Sequence, residues 1–352
     1  MTHSRRSVLR RGVGLAAAGA AASLAGCSGG GTGGSEGFDS GYAAFFTLND
    51  WANEVAGENA EFEDPVDVGQ LGHGWTPDGT LATDVAATDA FVYLDSPEFS
   101  WAQDLAATLE ADYDSVAVVD VLDGLEDDLL EWDHSHDGEG GSHDGEDGSH
   151  DGEGESHDGE GESHDGDGHE GGETRHDPHV WTDPVLAAEM VETIATGLGE
   201  ADPENAEAYT ANADAYAGEL DAVDAAFESV AEDAARDVAV LAGHNSFQYL
   251  EARYGFRLHS PVGVSPQNEP TQSEIADTIE IVDAEGIDVV LYDRFQSPRL
   301  AESIVENSGA AEAVPVTPAG GTTREWNDAG YGYLDQMTEI NVPAFERAFG
   351  AQ

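Results

Sequence analysis

The stretch PENAEAYTANADAYAGELDAVDAAFESVAEDAA, residues 203–235, carries Tyr209, Ala213, Tyr216, Leu220, Val223, Phe227, Val230 and Ala234 at alternating steps of four and three. That is one apolar stripe on an α-helix. A helix over the whole stretch would run about 50 Å at 1.5 Å per residue. A two-stranded coiled coil would show the same stripe. Here it occurs once, with strand–helix alternation on both sides, so the simpler reading is a backbone helix lying across two halves of the chain.

Upstream, residues 42–47, 62–68, 90–94 and 116–121 read as strands. Residues 48–56, 80–87 and 100–110 read as helices, the last with Ser100 as N-cap, and Asp183-Pro184 opens another helix to about 198. Downstream, strands at 238–241, 256–260, 288–292 and 313–316 alternate with helices at 247–254, 272–284, 298–308 and 331–349. This is the βαβ rhythm of open parallel sheets.

Between His134 and His176 lie eight of the thirteen histidines: His134, His136, His143, His150, His157, His164, His169 and His176. Four of them recur every seven residues in units such as Ser149-His150-Asp151-Gly152-Glu153, and Ser135-His136-Asp137-Gly138-Glu139 is a fifth copy. The tract holds fifteen Asp and Glu and almost nothing apolar, so it has no core to form and reads as a disordered loop. A solvated acidic spacer needs no histidine. The repeat keeps one per unit, which offers imidazole and carboxylate to a cation, at an affinity limited by the entropy of gathering a floppy loop.

The chain has twelve arginines, no lysine and 73 acidic residues, a formal charge of −61. Without residues 1–27 it loses four arginines and no acid, which gives −65. Self-repulsion of that size opposes compaction. It is tolerable where molar salt shortens the Debye length to about 3 Å, the setting of an extreme halophile. Nucleic acid is excluded as a partner by the sign of the field.

Ser4-Arg5-Arg6-Ser7-Val8-Leu9-Arg10 has the form of a twin-arginine export signal. A short apolar segment, 13–24, follows and then Leu24-Ala25-Gly26-Cys27. The segment is too short to span a bilayer. Leu-Ala-Gly-Cys resembles a lipobox, which makes Cys27 a lipidation site and places the protein on the outer face of the cell membrane, in touch with the bilayer only through its anchor. Cys27 is the only cysteine, so no intramolecular disulfide and no cysteine zinc site can form. The Gly/Ser-rich residues 28–38 read as a flexible tether.

Four histidines remain outside the signal and the loop. His73 stands in Gly72-His73-Gly74-Trp75-Thr76-Pro77, His179 in Asp177-Pro178-His179-Val180-Trp181-Thr182-Asp183-Pro184, and His244 in Ala242-Gly243-His244-Asn245-Ser246-Phe247. All three fall on loops near strand ends, where an open α/β sheet presents its ligands. Two come from the first half and one from the second, so a metal shared by them would sit between lobes. His259 lies inside a strand-like run and reads as structural.

These segments, with His244-Asn245-Ser246-Phe247-Gln248-Tyr249, Arg253-Tyr254-Gly255, Glu269-Pro270 and Phe295-Gln296-Ser297-Pro298-Arg299-Leu300-Ala301, resemble the metal-binding lipoproteins of zinc and manganese ABC importers, the cluster A-I solute-binding family, which includes adhesin-type members. The likeness runs from about Tyr42 to Phe349. It implies two Rossmann-like α/β lobes, parallel sheets flanked by helices, joined by one long rigid backbone helix, with the metal site in the interlobe cleft. The expected division is 1–27 signal, 28–38 tether, 39–200 first lobe including the loop at 134–176, 201–236 linking helix and 237–352 second lobe. The resemblance makes His73, His179 and His244 the cleft ligands. Manganese members place a carboxylate at the third position and zinc members a histidine, so Zn²⁺ is the expected cargo ahead of Mn²⁺. In many relatives the segment aligned with Val316-Thr317-Pro318 supplies an acidic fourth ligand. Here Thr317 stands there, leaving the fourth position to water, a loop histidine or a carboxylate such as Asp293.

The resemblance implies a binding protein and not an enzyme: a monomer that captures Zn²⁺ and passes it to an ABC permease with a cytoplasmic ATPase, the long helix limiting hinge closure. Two rivals stand beside it. One is a surface zinc reservoir or sensor whose main element is the histidine loop. The other is a three-histidine zinc hydrolase, for which Glu269 would have to serve as base without any His-Glu-x-x-His motif. The charge carries its own test. Far-UV circular dichroism should show the fold lost as KCl falls below roughly 1 M; a fold indifferent to salt down to tens of millimolar would refute the halophilic reading.

Overall fold

The structure is a computed structural model and describes residues 38–131, 176–263 and 269–351. The export signal, Cys27, most of the tether, and His134, His136, His143, His150, His157, His164 and His169 lie outside the described residues.

The first half contains β1 (Ser40–Ala43), α1 (Phe46–Ala56), β2 (Glu61–Glu63), α2 (Leu81–Val85), β3 (Ala90–Tyr93), α3 (Ser100–Asp112) and β4 (Ala117–Asp120). Its four strands pair in parallel in the order β2-β1-β3-β4. The central strand β3, Ala-Phe-Val-Tyr, is apolar along its length because both faces are covered. Two helices follow, α4 (Pro184–Ala201) and α5 (Ala206–Asp233). The second half contains β5 (Val238–Leu241), α6 (Gln248–Tyr254), β6 (Arg257–His259), α7 (Gln272–Glu285), β7 (Val289–Asp293), α8 (Arg299–Asn307), β8 (Glu312–Val316), α9 (Arg324–Ala329), α10 (Tyr333–Gln336) and α11 (Val342–Phe349). Its sheet repeats the topology of the first, β6-β5-β7-β8, again all parallel. In each sheet the order reverses at the first strand, so a crevice opens beyond the carboxyl ends of β1/β3 and β5/β7.

α5 buries Tyr209, Ala213, Tyr216, Leu220, Val223, Phe227 and Val230, the stripe read from the sequence. Ala234 is the residue after the helix and only half-buried. The amino-terminal half of α5 packs on α1 and α4, and the Tyr216 hydroxyl donates to Asp50 of α1. The carboxyl-terminal half packs on α6 and α11: the Phe227 ring lies 5.5 Å from both Tyr254 and Phe345. One rigid element therefore carries core on both lobes.

Two further seams join the lobes. Asp183 caps α4 by accepting from the Val185 and Leu186 amides, and its carboxylate also takes the Arg253 Nε of α6 at 2.5 Å. The segment after β8 laces onto the first lobe through backbone carbonyls. Pro318 accepts from Trp181 Nε1 at 2.6 Å, Ala319 from the Thr47 hydroxyl at 2.5 Å, and Thr322 from the Gly69 amide at 2.8 Å. Ala319 holds φ +56°, a left-handed conformation that an L-residue keeps only when its surroundings impose it.

Several expected elements come out differently. The strand at 62–68 shortens to Glu61–Glu63, because Pro65 cannot donate to a ladder and the Asp64 carboxylate turns back to the Val66 amide. The freed loop carries His73. Ser100 is the first residue of α3 and caps nothing, since a 3₁₀ turn at Pro97–Phe99 runs straight into the helix. The helix expected over 331–349 is α10, a π-helical turn at Met337–Asn341, and α11. Pro343 lacks the amide that a regular turn would use, and the Asn341 side chain turns to the backbone of Thr317.

All seven described arginines lie between Arg236 and Arg347; none is among the described residues of the first lobe or α5. Their ion pairs, such as Arg236–Asp288 and Arg347–Glu312, belong to the second lobe or to its seam at Asp183. Apolar burial, not charge pairing, must hold the first lobe together. Truncating Phe227 to Ala should cost about 3–5 kcal/mol in urea unfolding at constant high salt. Gly321→Ala should also destabilise, because its Cβ would enter the Gln70 carbonyl oxygen. Losses below about 1 kcal/mol at Phe227 would mean that α5 is not shared core.

Candidate metal centre

Each of the three cleft histidines is placed by its own local device. Gly72 packs so closely that a Cβ would lie 2.6 Å from Phe45 Cβ, its carbonyl accepts from Trp101 Nε1 at 3.2 Å, and Gly74 takes φ +71°. The Gly-His-Gly spacing thus lets the backbone lie flat on the aromatic floor of the first lobe while His73 projects inward. His179 opens the 3₁₀ turn His179–Thr182. The Asp177 carboxylate accepts from the His179 amide at 3.0 Å and contacts its Nδ1 at 2.7 Å. His244 leaves the carboxyl end of β5, and the Asn245 side chain folds the next turn by accepting from the Phe247 amide.

The structure brings these three together. Their ring centroids are 6.1, 6.1 and 5.5 Å apart, and one ligand atom from each lies within 4.8 Å of the others. All three Nε2 atoms are buried and have no hydrogen-bond partner. An unpaired buried polar atom costs about 1–3 kcal/mol and calls for an explanation. On the outer side of the site, Nδ1 of His179 is held by Asp177 and Nδ1 of His244 lies 2.8 Å from the Gln296 amide nitrogen. Unpartnered ring nitrogens facing inward, with polar partners on the outer nitrogens of His179 and His244, are the arrangement of a metal-binding imidazole set.

Electrostatics favours the neutral rings. Burial, and then the neighbouring His179, lowers the His73 pKa to about 4. Burial, with His179 and His73 beside it, pushes His244 well below the ordinary imidazole range. Three imidazoliums could not share this pocket.

Asp293 ends β7 and is almost fully buried. One carboxylate oxygen accepts from the Phe295 amide at 2.9 Å, and the other, Oδ2, is buried without a partner. Burial raises its pKa to about 6, against the lowering effects of the Phe295 amide, His179 and the Gln296 side chain. It is therefore an anion at neutral pH close to His179, yet it does not enter the three-histidine group. Thr317 is spent elsewhere. Its hydroxyl donates to Gln336, accepts from the Ala319 amide, and is fully buried in the second lobe.

His176 forms an antiparallel bridge with Glu131, joining the two ends of 132–175, and stands outside the cluster. His259 ends β6 and bonds to Thr278 at 2.9 Å. Glu269 is exposed and also outside the cluster. Sequence reasoning missed two participants. Asp177 had a signal, since Asp two residues before His179 can cap the turn. Gln296 had none, because 52 residues separate it from His244.

The family described as zinc-uptake complex component A, periplasmic, matches residues 42–348. The zinc-binding lipoprotein AdcA of Streptococcus pneumoniae serotype 4 is 28% identical over 310 residues, which cover 86% of this chain and 54% of that protein. The high-affinity zinc uptake system protein ZnuA of Bacillus subtilis is 28% identical over 163 residues, 46% of this chain and 50% of that one. The chain thus spans about half the length of the curated relatives it matches. Among solved structures, the metal-dependent lipoprotein YcdH of Bacillus subtilis aligns with TM-score 0.68 at 20% identity, over 88% of this chain and 99% of that one. The zinc-bound ZnuA-like domain of S. pneumoniae AdcA aligns with TM-score 0.66 at 24% identity, over 89% and 99%. With the match covering most of its length, the chain belongs to the zinc-uptake complex component A family.

Proposed function

We propose that this protein captures Zn²⁺ outside the cytoplasm through His73, His179 and His244 and delivers it to an ABC-type importer. The observation that carries this reading is that His73, His179 and His244, from both lobes, each bring a ligand atom within 4.8 Å of the others and each keep a buried Nε2 without a partner. Neutral imidazoles favour Zn²⁺ over Mn²⁺, and the relatives named above are described as zinc-binding or zinc-uptake proteins. The fourth coordination position goes to water, with Asp293 as the buried anion that offsets the cation's charge. The twin-arginine signal and lipidated Cys27 would hold a monomer on the outer face of the membrane beside its permease and ATPase. The histidine loop is an accessory that raises the local zinc concentration.

Calorimetric titration in molar KCl tests the assignment on the chain lacking 134–176. One zinc per chain is expected, with affinity falling about a hundredfold or more in His179→Ala. No tight site in the shortened chain would hand the main role to the loop and replace the importer by a reservoir.

The buried rings also set a pH signature. A histidine whose pKa is depressed on folding costs stability only when the unfolded chain takes up a proton that the folded one refuses. With His73 at about 4 against 6.5 unfolded, its contribution to metal-free stability should be level above pH 6.5 and fall as the pH drops towards 4, while Asp293, raised to about 6, acts in the opposite direction. Proton competition for zinc at His73 should begin only below about pH 5, lower than the 6.5 expected of solvated imidazoles. Thermal melts of the parent and His73→Gln, with zinc titrations, across pH 4–8 check this, and the same pH dependence in both proteins would show that the His73 ring is not desolvated.

A further inference from the structure

The Gln296 side chain lies between the two groups of β5 and β7 that face the cleft. Its amide nitrogen is 2.8 Å from His244 Nδ1, and its side chain lies close enough to the Asp293 carboxyl to help hold that group's pKa down. It sits in the turn after β7, where the Gln296 backbone amide donates to the Asp293 carbonyl at 3.0 Å, and it is exposed at the cleft rim with room to rotate. The chemistry of this contact is not neutral with respect to the site. If the amide nitrogen donates to Nδ1, the imidazole proton must sit on Nε2, pointing at His73 and His179, and that nitrogen has no lone pair for a cation. If the amide turns over, its oxygen accepts from Nδ1–H and the Nε2 lone pair faces the site.

We infer that Gln296 is a positioning residue that sets the tautomer of His244, and so decides whether the third ligand is open to a cation. This rests on the cleft reading above. With the oxygen towards His244, the amide nitrogen is free to donate to Asp293. One side chain then links the buried anion to the ligand, which no carboxylate partner such as Asp177 could do, since an ionised carboxylate only accepts. Asp177 can only accept from His179 Nδ1, whereas Gln296 offers His244 two settings.

The test uses the full-length chain in molar KCl, with zinc affinity read by competition against a chelator tight enough to ignore the histidine loop. Two-bond ¹H–¹⁵N histidine spectra report which ring nitrogen carries the proton, His244 being identified by its loss in His244→Ala. Gln296→Leu removes both settings and should weaken zinc binding about tenfold with the melting temperature unchanged. Gln296→Glu can only accept; it should move the metal-free His244 proton from Nε2 to Nδ1 and restore tight binding. Unchanged affinity in Gln296→Leu, or a His244 proton on the same nitrogen in the parent and Gln296→Glu, would overturn the inference. His179→Ala is the control. If it leaves zinc affinity intact, the cleft reading itself fails; if it abolishes binding while Gln296→Leu does nothing, only the role of Gln296 is lost.

Discussion

Three neutral imidazole nitrogens stay within 4.8 Å of one another only if the lobes that supply them are held in one relation. His73 and His179 come from the first lobe and His244 from the second. Buried without a hydrogen-bond partner, each Nε2 costs free energy that water would relieve if the lobes parted. The apolar stripe of α5, the Asp183–Arg253 pair and the carbonyl lace at 318–322 oppose that opening. The packing of the molecule thus maintains a destabilised site, which a cation of suitable size and softness would stabilise.

The lace bears on the departure from the family pattern. Where the family resemblance leads one to expect an acidic ligand, this chain has Thr317, and the structure uses that threonine to anchor the turn that reaches across to Trp181, Thr47 and Gly69. Losing a ligand there leaves the seam intact. It also leaves Asp293 as the nearest described anion on the second-lobe wall that is buried with an unpartnered oxygen. A chain of −61 has abundant surface carboxylates, but nearly all are solvated and screened by the surrounding ions. Asp293 is neither, so its charge counts.

The distribution of arginine follows from the same economy of cations. With twelve arginines against 73 acidic residues and none described in the first lobe, ion pairs cannot be the general source of cohesion. They appear where a cap or a seam needs them, as at Asp183. Elsewhere the aromatic and aliphatic core takes over, including the Phe45–Phe99–Trp181 cluster beneath His73 and His179.

The long helix was legible because burial on one face imposes a 3.6-residue period whatever lies opposite, and the βαβ rhythm because parallel strands need crossovers. The three histidines were legible as candidates because each stands in a loop signature of Gly, Pro or Asn beside a strand or helix end. What the residues could not disclose is decided between distant segments. The use of Thr317 and the turn of the Asn341 side chain in the broken final helix depend on partners some twenty residues away, and the lace at 318–322 on partners more than a hundred away. So does the contact of Gln296 with His244, across 52 residues. The sequence by itself determined which groups could bind a cation and on which elements they stand. Only the tertiary structure decided that their Nε2 atoms converge, dry and unpaired, because desolvation and tautomer belong to the neighbours a ring acquires on folding.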